Sequence, residues 1–374
     1  MDLFSFKQTL DEAAQLKAEQ VTPNLFYAGT LFTNPGGHGT QFGGQVYEIK
    51  KDADIESLWQ KHIATKPMLT KAVIESFGGA GKTLTDTQLR ELAKRSKEAN
   101  LPFFVHVSTL ADGKRAIEAG ANALAHGINS EAIDDQFVQL MVDNKVTYIP
   151  TLAVYHNHHE EKHHGLISSQ KALLVTTHEK LQHCLFENVP SPSKWSDKTW
   201  QAKGHAYDNI RKLHKAGVNI GAGSDAGNPY TLHGTGLHNE LAALSKAGLS
   251  NAQVINAATI NAAKTLNQTN NLGRLAQGYE ASFILLANNP LDNIENIHQI
   301  SEVYKAGEFV ERTELVAQNK TIEPMGKACH ETVVAKKASA VIDDFTGDSS
   351  WHAMSDSVMG GESKTTLKTG EDYL

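Results

Sequence analysis

Leu101-Pro-Phe-Phe-Val-His-Val-Ser-Thr-Leu-Ala-Asp-Gly-Lys-Arg-Ala-Ile-Glu-Ala-Gly-Ala-Asn-Ala-Leu-Ala-His-Gly-Ile128 decides the fold. Two apolar runs, Phe103 to Val107 and Ala123 to Ala125, each lead into a histidine, His106 and His126. Between them Ala111 to Ala119 has the length and composition of one helix, closed by Gly120. A buried strand, a helix and a second buried strand form a βαβ unit, so the two strands are expected to be parallel. Two imidazoles at the same end of neighbouring parallel strands can share one metal ion.

Outward from this unit the pattern repeats. Pro67 to Ile74 is a β-rich run interrupted by Lys71, and a lysine within a buried strand is costly unless it is paired, neutralised or liganded. Thr85-x-x-Gln88 is a capping box opening a helix through Ala99. Ser130 to Asn144 has helical spacing at Ile133, Phe137, Leu140 and Met141, and Val146 to Leu152 is the next strand. Trp200 to Lys215 is a helix leading into Val218-Asn-Ile-Gly-Ala-Gly-Ser-Asp225, a strand whose C-terminal end carries a carboxylate. Asp225 could instead cap the turn. Asn24 to Gly29 is a short strand followed by the glycine-rich loop 34–44, with His38 at its centre as a substrate-facing donor or an ordinary loop histidine. His156-Asn-His158 has metal-ligand spacing, but its polar surroundings point to a solvated loop.

Strands therefore fall near residues 25, 70, 104, 124, 148 and 221. Such a series favours a (β/α)8 barrel of the TIM type, in which the chemistry stands at the C-terminal strand ends. Two segments, Gly273 to Leu286 and Glu302 to Val310, leave the alternation and are expected to form a separate small sheet. Residues 2–19 read as an amphipathic helix, residues 316–340 as a linker, and residues 341–374 as a β-type module.

The 374 residues carry 35 basic and 42 acidic side chains, a net charge of −7, without a basic block. That gives no footprint for nucleic acid. No apolar run reaches the ~18 residues of a membrane span, and two distant cysteines suggest neither a disulfide framework nor a thiolate zinc site. A small-molecule substrate is the expected partner, with homo-oligomerisation left open. Histidine nitrogen and carboxylate oxygen suit Zn²⁺, Mn²⁺ or Fe²⁺. A metal so held lowers the pKa of its water to about 7 and polarises a carbonyl. Asp225 could take that proton and pass it to a leaving amine.

The stretches Phe104-Val-His-Val, Ala-Leu-Ala-His126-Gly, Gly-Ser-Asp225-Ala-Gly, His238-Asn-Glu-Leu, Ala-Ala-Thr259-Ile-Asn-Ala-Ala and Gly273-Arg-Leu-Ala-Gln-Gly278 occur in an order that resembles the metal-dependent amidohydrolase superfamily, in its imidazolonepropionase-like and prolidase-like branch, over residues 1–315. The resemblance implies that His106 and His126 are metal ligands of strands five and six. It makes Asp225 the strand-eight ligand and general base, and Lys71 the strand-four lysine that is carboxylated to bridge two metals. One or two ions, most readily Zn²⁺, follow. His38 then falls near the substrate, which the loops bearing Tyr155 and Tyr230 would also contact. The family's strand-one His-x-His and its strand two are absent, so the chain reads as an incomplete barrel with a remnant of the small β-sandwich. Ile342-Asp-Asp-Phe to Trp351 and Asp356-Ser-Val-Met-Gly-Gly-x-Ser363 resemble the start of a complex I intermediate-associated protein 30 type β-sandwich. The expected activity is metal-dependent hydrolysis of a carbon–nitrogen bond. A metal-dependent deaminase and a catalytically incomplete binding protein are the alternatives.

Overall fold

The computed structural model describes residues 24–42, 45–75, 82–156, 194–228, 231 and 233–321. The expected helix at 2–19, His158, Tyr230 and the module at 341–374 lie outside them.

Six parallel strands make the main sheet: β1 (Phe32–Thr33), β2 (Tyr47–Glu48), β3 (Thr70–Val73), β4 (Phe103–His106), β5 (Ala123–Ala125) and β6 (Thr147–Ile149). Their spatial order is β2-β1-β3-β4-β5-β6. Ile220 continues the sheet through a parallel bridge to Tyr148. Helices cross between the strands: α1 (Asp54–Ala64), α2 (Asp86–Glu98), α3 (Leu110–Ala119) and α4 (Asp135–Asp143), followed by α5 (Lys194–Gln201), α6 (Lys203–Lys215), α7 (Thr235–Lys246), α8 (Asn251–Ala258) and α9 (Ile260–Thr265). This is an α/β fold with parallel strands and crossover helices, consistent with a TIM-like barrel.

The opening stretch forms its βαβ unit as expected. Phe104, Val105 and His106 face Ala123, Leu124 and Ala125 in register. Thr109 caps α3 by accepting from the Asp112 amide, and Gly120 ends it at φ +109°, a left-handed conformation that suits glycine. The Thr85–Gln88 capping box has both of its hydrogen bonds, and so does Ser250–Gln253 at α8.

Alternation along the strands sorts the side chains. Leu69, Phe104, Ala123 and Ile149, with Ala28, form one small apolar cluster. Phe32, Ala72, Ile74, Phe103, Val105, Leu124 and Tyr148 join a much larger one with helix residues such as Leu89, Leu92, Ile117 and Phe137. Two residues past Leu69 on the same face stands Lys71, and two past Phe104 stands His106. An apolar floor therefore supports polar groups toward the C-terminal ends of the same strands.

Several boundaries differ from the sequence reading. The first strand lies at Phe32–Thr33 rather than Asn24–Gly29, and the strand at Tyr47–Glu48 was not anticipated. The first pairs with the second through Phe32↔Tyr47, a non-local contact that a propensity cannot report. Helix α4 starts only at Asp135, because the Asp134 carboxylate accepts from the Phe137 amide and sets the N-terminus there. The segment at 200–215 is split, α5 ending at Gln201 and α6 starting at Lys203.

The small sheet forms separately: β7 (Phe283–Leu286), β8 (Ile300–Lys305) and β9 (Glu308–Phe309) are antiparallel. Asn24 Nδ2 donates to Glu280 Oε1 at 3.1 Å beside it. A last helix, α10 (Arg312–Thr321), occupies the start of the expected linker. Among the described residues no helix is long and apolar enough to cross a membrane.

Candidate metal centre

His106 ends β4 and His126 immediately follows β5, so the adjacent parallel strands carry the two imidazoles to one place. Their ring centroids are 4.4 Å apart at 66°. His38 reaches the same place from the loop after β1, its ring 4.7 Å from that of His106. Asp225 arrives from the segment after Ile220, which joins the sheet only by the single bridge to Tyr148 rather than as the strand expected over Val218 to Asp225; its Oδ2 lies 3.8 Å from His126 Nδ1. Tyr155 stands on the turn after β6 and is buried. Of the sequence-derived site residues, Lys71, His106, His126, Asp225, His38 and Tyr155 thus converge on the C-terminal strand ends.

Burial governs the protonation of these groups. Desolvation leads in lowering His106 well below its ordinary value and His126 to about 4; His126 and Lys71 push His106 further down, and Asp225 opposes the shift at His126. His38 also falls to about 4, chiefly through desolvation. All three imidazoles are therefore neutral at pH 7, the form in which a ring nitrogen can donate to a metal. Lys71 Nζ is buried and has no hydrogen-bond partner among the described residues. Desolvation lowers it to about 7, against a raising influence from Asp225, so about half the amine is neutral at that pH. The Tyr155 hydroxyl is pushed up by burial and by the charges of Asp225 and Glu75, and remains a proton donor.

Hydrogen bonds fix the rings. Glu75 Oε2 lies 3.3 Å from His106 Nε2, so a neutral His106 donates there and keeps Nδ1 as its lone-pair nitrogen. Thr151 Oγ1 contacts His126 Nδ1 at 2.9 Å. Gln41 Nε2 donates to His38 Nδ1 at 2.8 Å, which leaves His38 Nε2 bearing the proton. Asn228 Nδ2 donates to Asp225 Oδ2 at 2.9 Å.

Three residues at the site, His126 (φ +69°), Thr151 (φ +48°) and Asp225 (φ +54°), adopt the left-handed conformation. For side chains without glycine's freedom this is unfavourable by about 1 kcal/mol or more. Asn100 and Lys145 share the conformation but lie just beyond helix ends, where it is an ordinary termination.

The donor chemistry fits a divalent cation: two neutral imidazoles, a carboxylate and a lysine that needs a partner. The donor number is short. Among the described residues, no three His, Cys, Asp or Glu side chains stand together as they are to hold a metal ion. His106, His126, Asp225 and Lys71 are the residues that would hold one.

The sequence profile of the amidohydrolase family matches residues 23–310. The chain belongs to the amidohydrolase family. Among curated proteins none matches it in sequence. Solved structures do match in fold. A Xaa-Pro dipeptidase with methionine bound in its active site aligns with TM-score 0.63 at 19% identity, over 83% of this chain and 75% of that one. The ochratoxinase of A. niger aligns with TM-score 0.62 at 21% identity, over 82% and 71%. Phenylurea hydrolase B aligns with TM-score 0.60 at 17% identity, over 84% and 74%. At these identities the likeness establishes the fold.

Sequence reasoning missed Glu75, Thr151 and Glu240. Glu75 lies four residues after Lys71, just past a buried strand, a position at which an acid has a reason to face the site. Thr151 sits at the end of a strand already marked by Pro150. His156 was misjudged: it is not in a solvated loop but only 4% exposed. Its ring lies edge-on to Trp200 at 5.7 Å and Tyr207 at 5.5 Å. Those aromatics come from α5 and α6, too far along the chain for local polarity to reveal them.

Proposed function

We propose that this member of the amidohydrolase family hydrolyses a carbon–nitrogen bond of a small-molecule amide with the help of one or two divalent ions, Zn²⁺ being the first expectation. The observation that carries this reading is the convergence of His106, His126 and Asp225 beside a buried Lys71 that has no hydrogen-bond partner among the described residues. The names of the structural neighbours support it, since a dipeptidase, an ochratoxinase and a phenylurea hydrolase share this fold.

When bound, the metal would supply Lewis acidity toward the amide carbonyl and acidify water. The remaining work falls to side chains. Asp225 accepts the proton of the attacking water and returns it to the leaving amine; the bond from Asn228 occupies Oδ2 and leaves Oδ1 for that proton. His38, with its proton on Nε2, is the donor for the substrate carbonyl, and the Tyr155 hydroxyl is a second donor. Tyr230 follows Asp225 closely in sequence and completes the substrate contacts in this reading. A neutral Lys71 amine is the form that could add CO₂ and release a proton, giving a carbamate that would help hold the metal.

The test is metal content and turnover on a panel of dipeptides, N-acyl amino acids and lactams, with H106A and D225A as controls. Wild-type metal uptake that both variants lose, together with new carboxylate from one panel member, is expected. Ammonia release from an aminated ring without new carboxylate would turn the reading to a deaminase. A second reading is a binding protein that is catalytically incomplete, since among the described residues no three metal-binding side chains stand together as they are. Ligand binding without metal uptake or turnover would establish it.

A further inference from the structure

Glu240 lies on α7 and is fully buried, yet has no part in the chemistry above. Its Oε2 accepts the Ala153 amide at 2.7 Å, and its carboxyl also takes the Leu152 amide. Oε1 has no partner among the described residues. Burial pushes the carboxyl up to about 8, partly opposed by those two amide bonds. A buried carboxyl costs stability that a leucine in its place would not, so its two bonds merit an account.

Leu152 and Ala153 open the helical turn 152–156, whose first amides have no acceptor within their own turn. Thr151 immediately precedes this turn, in the left-handed conformation, with its hydroxyl 2.9 Å from His126 Nδ1. Tyr155 stands on the same turn. Four residues before Glu240, α7 abuts the segment bearing Asp225: a Cβ added to Gly236 would lie 3.0 Å from Ser224 Cβ and Oγ. One helix therefore touches both the segment bearing Asp225 and the turn that follows Thr151.

We propose that Glu240 is a positioning residue, which through the Leu152 and Ala153 amides holds Thr151 in its strained conformation against the His126 imidazole. The inference rests on the hydrolase reading only for what His126 does, not for how its ring is held. A bond that spans 87 residues of sequence fixes a backbone which two neighbouring peptide groups alone would let relax.

The test uses the full chain without added metal, ¹⁵N-labelled at histidine, so that it stands apart from catalysis. E240A should move the His126 ring nitrogens in the same direction as T151V does. The E240A/T151V double variant should go no further than T151V. E240Q, which retains an acceptor for the amides, should restore the wild-type signals. In active enzyme, kcat should fall about tenfold or more in E240A with KM nearly unchanged, and recover in E240Q. If E240A does not fold, E240D, one methylene shorter, is read by the same criteria. Wild-type His126 signals in a folded E240A, or shifts that add in the double variant, overturn the proposal. A wild-type chain without turnover sinks the hydrolase reading and leaves the ring measurement intact.

Discussion

The two faces of the parallel sheet are built from the same strands and obey different rules. On the helix-facing side Ala72, Phe103, Val105, Leu124 and Tyr148 are buried among apolar neighbours along the whole strand length. On the other side Leu69 and Phe104 give way, two residues on, to Lys71 and His106. One face is mostly apolar, His62 and Thr70 apart, and stabilises the fold. The other divides lengthwise into a floor that packs and a rim that holds polar groups away from water. The difference teaches where change should be felt as stability and where as function.

The sharpest test of that division is His106→Ala. Metal uptake and turnover are expected to fall about a thousandfold, equivalent to about 4 kcal/mol, with little loss of thermal stability. Assays of bound metal, rate and Tm on one preparation would check it; a large Tm loss with activity intact would break the comparison. Phe103→Ala, one face over and three residues earlier, should do the reverse. It should cost about 3–4 kcal/mol in denaturant unfolding and leave activity per folded molecule unchanged.

Acid should act on both faces together. His62, buried behind the sheet against Thr70, and His126 at the rim are each lowered by burial to about 4 from an ordinary value of 6.5. The unfolded chain binds these protons first, so stability is complete above pH 6.5 and falls as pH drops toward 4. Each histidine should contribute on the order of 3 kcal/mol to that loss. Urea unfolding between pH 7 and 4.5 reads the slope, and a flat profile contradicts it.

Lys71→Met should stabilise the apoprotein by about 1–3 kcal/mol at pH 7 while abolishing activity, because it removes a buried amine that lacks a partner among the described residues. Lys71 is lowered from 10.5 to about 7 in the fold, so its penalty is complete below pH 7 and vanishes as pH rises toward 10.5. The gain from K71M should shrink over that window, as paired Tm curves would show. Thr85→Ala should have the smallest effect, about 1 kcal/mol, since it removes one cap from a helix outside the sheet.

Much of this arrangement was legible beforehand where it depends on neighbours in sequence. The capping boxes at Thr85 and Ser250, the αL glycine after α3 and the βαβ unit each follow from residues a few positions apart. The places of His106, His126 and Lys71 were readable because alternation and strand ends fix them before any contact is known; that of Asp225 was not, since beyond the single bridge at Ile220 its expected strand does not form. Glu75 against His106 and Glu240 beneath Thr151 were not, since nothing local distinguishes an acid that turns inward from one left in water. His156 failed for the same reason in reverse: its local surroundings are polar and its real ones are Trp200 and Tyr207.

By itself, then, the sequence determined a series of strands and helices, the parallel direction of the central pair and the residue types at the strand ends. Those depend on periodicity and backbone geometry, which act over a few residues. Only the tertiary structure decided which titratable groups share one low-dielectric space. It also decided which carboxylate orients which imidazole, and which strand ends are held in strained conformations. Desolvation and hydrogen-bond partnership belong to the packed assembly, and no residue carries them alone.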